Sequence, residues 1–187
     1  KFHFFIKNYL DLINPLILLM GNGKDFWGSK QWKYLHVITF ANGNKVSVRP
    51  KLQTHISSLQ NLLPCMECRQ NFSKKLVAFP VSKFNGNFFN MIYIYHDQVN
   101  KYYNKKNPNL VQKISPPLQS VYNYYSSIAL DRNLWERDMW ISFYCIAASY
   151  SPEFYQSAID FFKTVQYVLP TEETRNLFSH IVEQYPI

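Results

Sequence analysis

The run Leu63-Pro64-Cys65-Met66-Glu67-Cys68-Arg69 places two thiols three positions apart. At a helix start, that spacing brings both sulfurs within disulfide reach. The peptide dipoles and free N–H groups of a helix N-terminus favour a thiolate, the nucleophile of thiol–disulfide exchange. Arg69 adds positive charge beside it. Several roles remain open to a CxxC pair. Half of a zinc site needs two further ligands, but the one other cysteine is Cys145, and the chain has no second CxxC and no HxxxH. A thioredoxin-type redox site needs a strand before the pair within a βαβ unit, and here the preceding residues have helical spacing. An inert structural disulfide is the plainest role.

Two segments flank the pair. Upstream stands Phe26-Trp27-Gly28-Ser29-Lys30-Gln31-Trp32-Lys33-Tyr34-Leu35-His36, and downstream Tyr95-His96-Asp97-Gln98-Val99-Asn100-Lys101-Tyr102-Tyr103-Asn104-Lys105. Helical periodicity puts Trp32 and His36 on one face and lines up His96, Val99, Asn100 and Tyr103 in one stripe. Taken singly, each of these is an ordinary core residue. In order and spacing, the three segments together resemble the Erv/ALR family of FAD-dependent sulfhydryl oxidases. That family's pattern runs WGxxxWxxLH, PCxxC and HNxVNxxLxK, and the likeness covers roughly residues 26 to 106.

The resemblance implies an all-α fold: a four-helix bundle that holds FAD, followed here by a C-terminal helical domain. It implies that Gly28, Trp32, His36, His96, Val99, Asn100, Tyr103 and Lys105 contact FAD. Trp32 and His36 would wall the isoalloxazine, the α-helical stripe from His96 would meet the adenine and ribose, and Lys105 would meet the pyrophosphate. It makes Cys65 and Cys68 the catalytic pair, with Cys65 meeting the substrate and Cys68 against the flavin. Electrons would pass from protein dithiols, thioredoxin-like or viral, to FAD and then to O2, giving hydrogen peroxide. A homodimer is also implied. No Gly-rich dinucleotide loop is needed for this, and Gly21-Asn22-Gly23-Lys24 lacks phosphate-loop spacing and reads as a turn.

Two departures from the family stand out. Asp97 replaces the usual Asn, and an ionised carboxylate only accepts hydrogen bonds. No second, shuttle cysteine pair is present, and Cys145 lies in the apolar run Met139-Trp140-Ile141-Ser142-Phe143-Tyr144-Cys145, where a buried free thiol is expected. The absence of a shuttle and the helical extension are similar to members encoded by large and giant DNA viruses. Heavy use of Lys, Asn, Tyr, Phe and Ile fits an A/T-rich genome. A viral source would place the protein in host cytoplasm, a viral factory or the virion. The alternative is a non-enzymatic virion or scaffold protein that keeps the helices and has lost the flavin.

The elements that must hold these residues follow from the rest of the chain. Hydrophobic residues are 47% and charged residues 17% of the 187, a globular balance. The net charge of +8 is scattered and carries no zinc-finger or ribonucleoprotein motif, so it reads as a solvated surface and not as a nucleic-acid interface. No apolar run reaches the length of a membrane span. Residues 1–23 read as an apolar helical segment, 24–114 as the FAD-binding unit and 115–187 as the extension. The spacing predicts helices over 26–41, 51–63, 65–77 and 88–104, with a loop over 79–87 and a break at Ser115-Pro116-Pro117. Three or four more follow, with an Asn133–Glu136 capping box and starts at Ser151-Pro152-Glu153 and Thr171-Glu172-Glu173. The aromatics of the extension suggest a small helical core of their own, or else a docking surface.

Overall fold

The computed structural model describes residues 23–184 except positions 44 and 85. The segment expected as an apolar helix over 1–23 thus lies almost wholly outside the described residues. Among these there are eight α-helices and no strand. The first four are α1 (Lys24–Asn42), α2 (Arg49–Leu62), α3 (Met66–Ala78) and α4 (Phe88–Lys106). The extension holds α5 (Leu118–Ile128), α6 (Glu136–Ala148), α7 (Tyr155–Val168) and α8 (Glu172–Gln184). Among the described residues no helix is long and apolar enough to cross a membrane.

Helix α1 is the centre of the molecule. The consecutive residues Tyr34 to Thr39 are all buried, so the helix has no solvent face along this stretch. A helix covered all round needs neighbours on every side, and α1 packs against α2, α4, α5 and α6. Helix α2 buries Leu52, Ile56, Leu59 and Leu62, a stripe at helical spacing. Leu63 and Cys65 then take extended backbone, and α3 begins at Met66 with Cys65 as its N-cap. Gly86 precedes α4 at φ +89°, where a Cβ would collide with the Arg49 guanidinium, so glycine is required there. Asn87 caps α4 by accepting the Asn90 N–H at 3.1 Å.

After α4 the chain doubles back along it. The Asn104 side chain binds the Lys113 backbone twice, donating to its carbonyl at 2.9 Å and accepting its N–H at 2.8 Å. The Tyr93 hydroxyl donates to the Pro116 carbonyl at 2.8 Å. This strap delivers α5 to the side of α1. The Asn133–Glu136 capping box does not form. Asp131 instead accepts the Asn133 N–H in a 3-10 turn, and Glu136 is drawn to Arg132 at 2.7 Å. Ser151-Pro152-Glu153 opens a 3-10 turn, with α7 starting two residues later.

The hydrophobic core is continuous across the strap. The most extensive helix pairing joins α2 to α7, and the next joins α1 to α6. At their junction the Tyr34 hydroxyl meets His55 Nε2 at 2.8 Å. His55 Nδ1 lies 3.2 Å from the Phe161 carbonyl and 2.9 Å from Thr164 Oγ1. A carbonyl only accepts, so Nδ1 carries the proton and Nε2 accepts from Tyr34. This relay ties α1, α2 and α7 through one buried imidazole.

Replacing His55 with Leu strands the Tyr34 hydroxyl in the core. The expected cost is about 2–4 kcal/mol in urea denaturation. In the wild type, far-UV circular dichroism and tryptophan fluorescence should report one shared transition. Two separate transitions would mean that the extension folds as its own unit.

Candidate functional site

Cys65 and Cys68 form a disulfide at the tip of α3. The Cys68 N–H donates to Cys65 Sγ at 3.0 Å, so the helix N-terminus is directed at that sulfur. An N–H donor and the positive end of the helix both stabilise negative charge there. Cys65 is half-buried, and its neighbour Met66 is 66% exposed, which leaves the outer side of the pair approachable from solvent.

Cys68 faces inward and lines a cavity of about 440 Å³. One wall comes from α1, with Trp27, Gly28, Gln31, Trp32 and Leu35; another comes from α4, with His96, Val99, Asn100 and Tyr103. Leu63, Phe72 and Lys75 enclose the end nearest the disulfide. Trp32 and His96 stack with centroids 4.4 Å apart and planes 7° apart, a flat aromatic surface bordering the space. Gly28 also lines it, and a Cβ built there meets no protein atom within 4 Å. Both polar atoms of the Gln31 amide are buried without a hydrogen-bond partner. A buried amide left this way costs free energy unless something in the adjoining space pairs with it. The cavity therefore joins a disulfide, a flat apolar wall and unpaired polar atoms, an arrangement that fits a planar heteroaromatic cofactor.

Lys106 and Lys113 give the cavity a cationic side. Lys106 pairs with Glu67 at 2.5 Å, and Lys113 lies over the Tyr103 ring at 4.1 Å. Next to the first cavity is a second of about 380 Å³. His96 and Asn100 border both, while His36 lines only the second. His36 Nε2 lies 3.4 Å from His96 Nδ1, its ring stacks on Tyr125 at 4.8 Å, and its Nδ1 is buried without a partner. Burial, helped by His96, holds His36 down to about 3. Burial, then Lys113, lowers His96 to about 4 against the opposing pull of Asp97. Both imidazoles are neutral near pH 7, as flat, uncharged partners for a ring.

Most of the residues singled out by sequence meet here. Gly28, Trp32, Cys68, His96, Val99, Asn100 and Tyr103 line the first cavity, with Cys65 one turn outward. His36 falls in the second, because Trp32 and His36 lie a full turn apart along α1. Lys105 is exposed and lines neither, since two residues past Tyr103 the helix has turned by about 200°. Asp97 pairs with Lys101 at 2.7 Å and also lines neither. Cys145 is a half-buried free thiol, raised by burial. Gln31 was legible as the turn after Gly28 on the same helix face. Lys113 and Tyr125 had no local signal, because the strap and the packing of α5 bring them in.

Residues 29–115 match the family model described as the Erv1 / Alr family. No curated protein and no solved structure matches the chain.

Three imidazoles, the buried His36 and His55 and the half-buried His96, share one consequence for stability. Each is lowered from 6.5, to about 3, 3 and 4 respectively. Below pH about 6.5 the unfolded chain takes up protons at these positions that the native protein refuses. Stability should therefore be full above that pH and fall towards pH 4, by up to about 1.4 kcal/mol per pH unit for each histidine. Urea denaturation across this range checks it, and stability that rises on acidification would contradict it.

Proposed function

We propose that the chain is a sulfhydryl oxidase of the Erv1/Alr type, which forms disulfides in protein dithiols at the expense of O2, with FAD as its cofactor. The match of residues 29–115 to that family supports the reading. The observation that carries it is the position of Cys68, at once half of a disulfide on a helix tip and part of the wall of an aromatic cavity.

The chain's own residues account for the exchange chemistry. A substrate thiolate attacks Cys65 Sγ, the sulfur on the solvent side. The Cys65–Cys68 bond breaks, a mixed disulfide forms at Cys65, and Cys68 leaves as a thiolate facing the cavity. The substrate's second thiolate then attacks its own bonded sulfur, and Cys65 leaves as a thiolate. The Cys68 N–H and the helix N-terminus stabilise that leaving group, which speeds its departure. The substrate has lost two electrons and now holds a disulfide, and the pair is reduced. Gly28, Gln31, Trp32, Val99, Asn100, Tyr103 and Lys113 would hold the cofactor. Bound there, FAD supplies the two-electron acceptor that O2 restores, with hydrogen peroxide as product. Gln31 offers its amide to a polar ring edge, and Lys113 its charge to phosphate. Val99 and the Trp32–His96 stack keep the space dry.

Purified full-length protein should carry a visible flavin absorption band. Cys68→Ser should keep that band and lose dithiol-dependent O2 consumption by at least about a hundredfold. Protein that is colourless and takes up no added FAD would overturn the proposal.

A further inference from the structure

Glu67 stands between the two cysteines, and its side chain reaches from α3 across to α4. Its Oε1 accepts from the Tyr102 hydroxyl at 2.9 Å and from Lys106 Nζ at 2.5 Å. A carboxylate in the first turn of a helix is ordinary, since it complements the positive end of the macrodipole. That role needs no partners 35 and 39 residues away on another helix. Nor is this carboxylate left to solvent. Its side chain is 32% exposed, and Glu67, Tyr102 and Lys106 line the same cavity as Cys68. The hydrogen bond to Glu67, and then its charge, raise Lys106, which stays a cation on the carboxylate. Arg69, the other charged residue of the Cys65–Cys68 segment, is held elsewhere. Its guanidinium donates to the Leu63 carbonyl at 3.3 Å and lies over the Phe154 ring at 5.1 Å. Reduction of the pair adds two electrons and breaks the S–S bond. Each sulfur that takes up no proton is then a thiolate, a charge the disulfide lacks. A carboxylate on the adjoining residue opposes that charge, and a cation on the carboxylate relieves the opposition. Salt screens such effects incompletely where the groups are partly buried.

We propose that the Glu67–Lys106 pair sets the redox balance of the Cys65–Cys68 disulfide. Glu67 favours the disulfide form, Lys106 offsets that preference, and Tyr102 holds the carboxylate in place. This rests on the oxidase reading above and deepens it, by naming the groups that decide how readily a substrate dithiol reduces the pair. Glu67 and Lys106 are positioning residues here, acting on the sulfurs through charge. Too strong a preference for the disulfide halts electron uptake from a substrate, and too weak a one holds the pair reduced. Because the cation comes from α4, the tertiary structure and not the CxxC segment alone fixes the balance.

The test brings full-length protein to equilibrium with graded ratios of reduced to oxidised glutathione in the absence of O2, then counts alkylation at Cys65 and Cys68 by mass. Two glutathiones supply the two electrons and leave as glutathione disulfide. Glu67→Gln removes the charge and keeps an oxygen that can accept from Tyr102 and Lys106. It should shift the equilibrium about threefold towards the dithiol. Lys106→Met removes the cation from an exposed position and should shift it about threefold towards the disulfide. The two changes together should return to within about twofold of wild type. Each single variant weakens the same link between α3 and α4, so a purely structural role moves both in one direction. Shifts of the same sign, or no shift in either variant, would overturn the proposal. The equilibrium is read at the cysteines whether or not flavin is bound, so the proposal can fail while the oxidase reading stands. Protein that takes up no FAD sinks the oxidase reading without moving these equilibria.

Discussion

Helix α1 carries Gln31, Tyr34, His36, Thr39 and Asn42 into an interior with no water to pair with them. A polar group in that position costs free energy unless it finds a hydrogen-bond partner. The protein meets this constraint residue by residue. Thr39 donates back to the Leu35 carbonyl at 2.7 Å, and the Asn42 amide reaches the Val168 carbonyl at 2.6 Å. Tyr34 has His55. The two that remain incompletely paired are Gln31 and His36, and each borders a cavity. The polar atoms of α1 therefore divide into those that join the bundle to the extension and those that face open space.

The disulfide gains its character from the same arrangement. A helix N-terminus polarises the sulfur that receives its N–H, and here that sulfur is Cys65. Its partner forms part of an apolar wall. One disulfide thus has one sulfur that accepts a backbone N–H and another that lines the first cavity. The asymmetry comes from the orientation of α3 against α1 and α4, since the two cysteines are chemically alike in sequence.

The extension shapes both the shared core and the second cavity. Helices α6 and α7 cover the faces of α1 and α2 that the first four helices leave bare, with Phe143, Phe161 and Trp135 buried in the shared core. Lys30 and Lys33 of α1 meet Asp138 of α6 at 3.4 and 2.9 Å, pinning the register at the partly exposed rim. Helix α5 faces the histidine side of the bundle and adds Tyr125 to His36. Stability and site geometry therefore depend on the same helices.

The sequence by itself determined the helices and the reacting pair. Periodicity, proline and glycine breaks and the CxxC are local signals, and a helix reports its faces through residues three and four apart. That is why His96, Val99, Asn100 and Tyr103 were legible as one stripe and Trp32 and His36 as one face, and why Gln31 was within reach of the same reasoning, although Trp32 and His36 line different cavities. Local rules failed where a competing local interaction won, as when Asp131 and Arg132 displaced the Asn133–Glu136 cap. Tertiary structure alone decided which cavity each residue faces, why Lys113 and not Lys105 stands at the site, and that Tyr125 closes over His36. Those outcomes depend on a strap folding back along α4 and on helices far apart in sequence packing together. Contacts of that kind are set by burial of the whole core, and spacing along the chain carries no record of them.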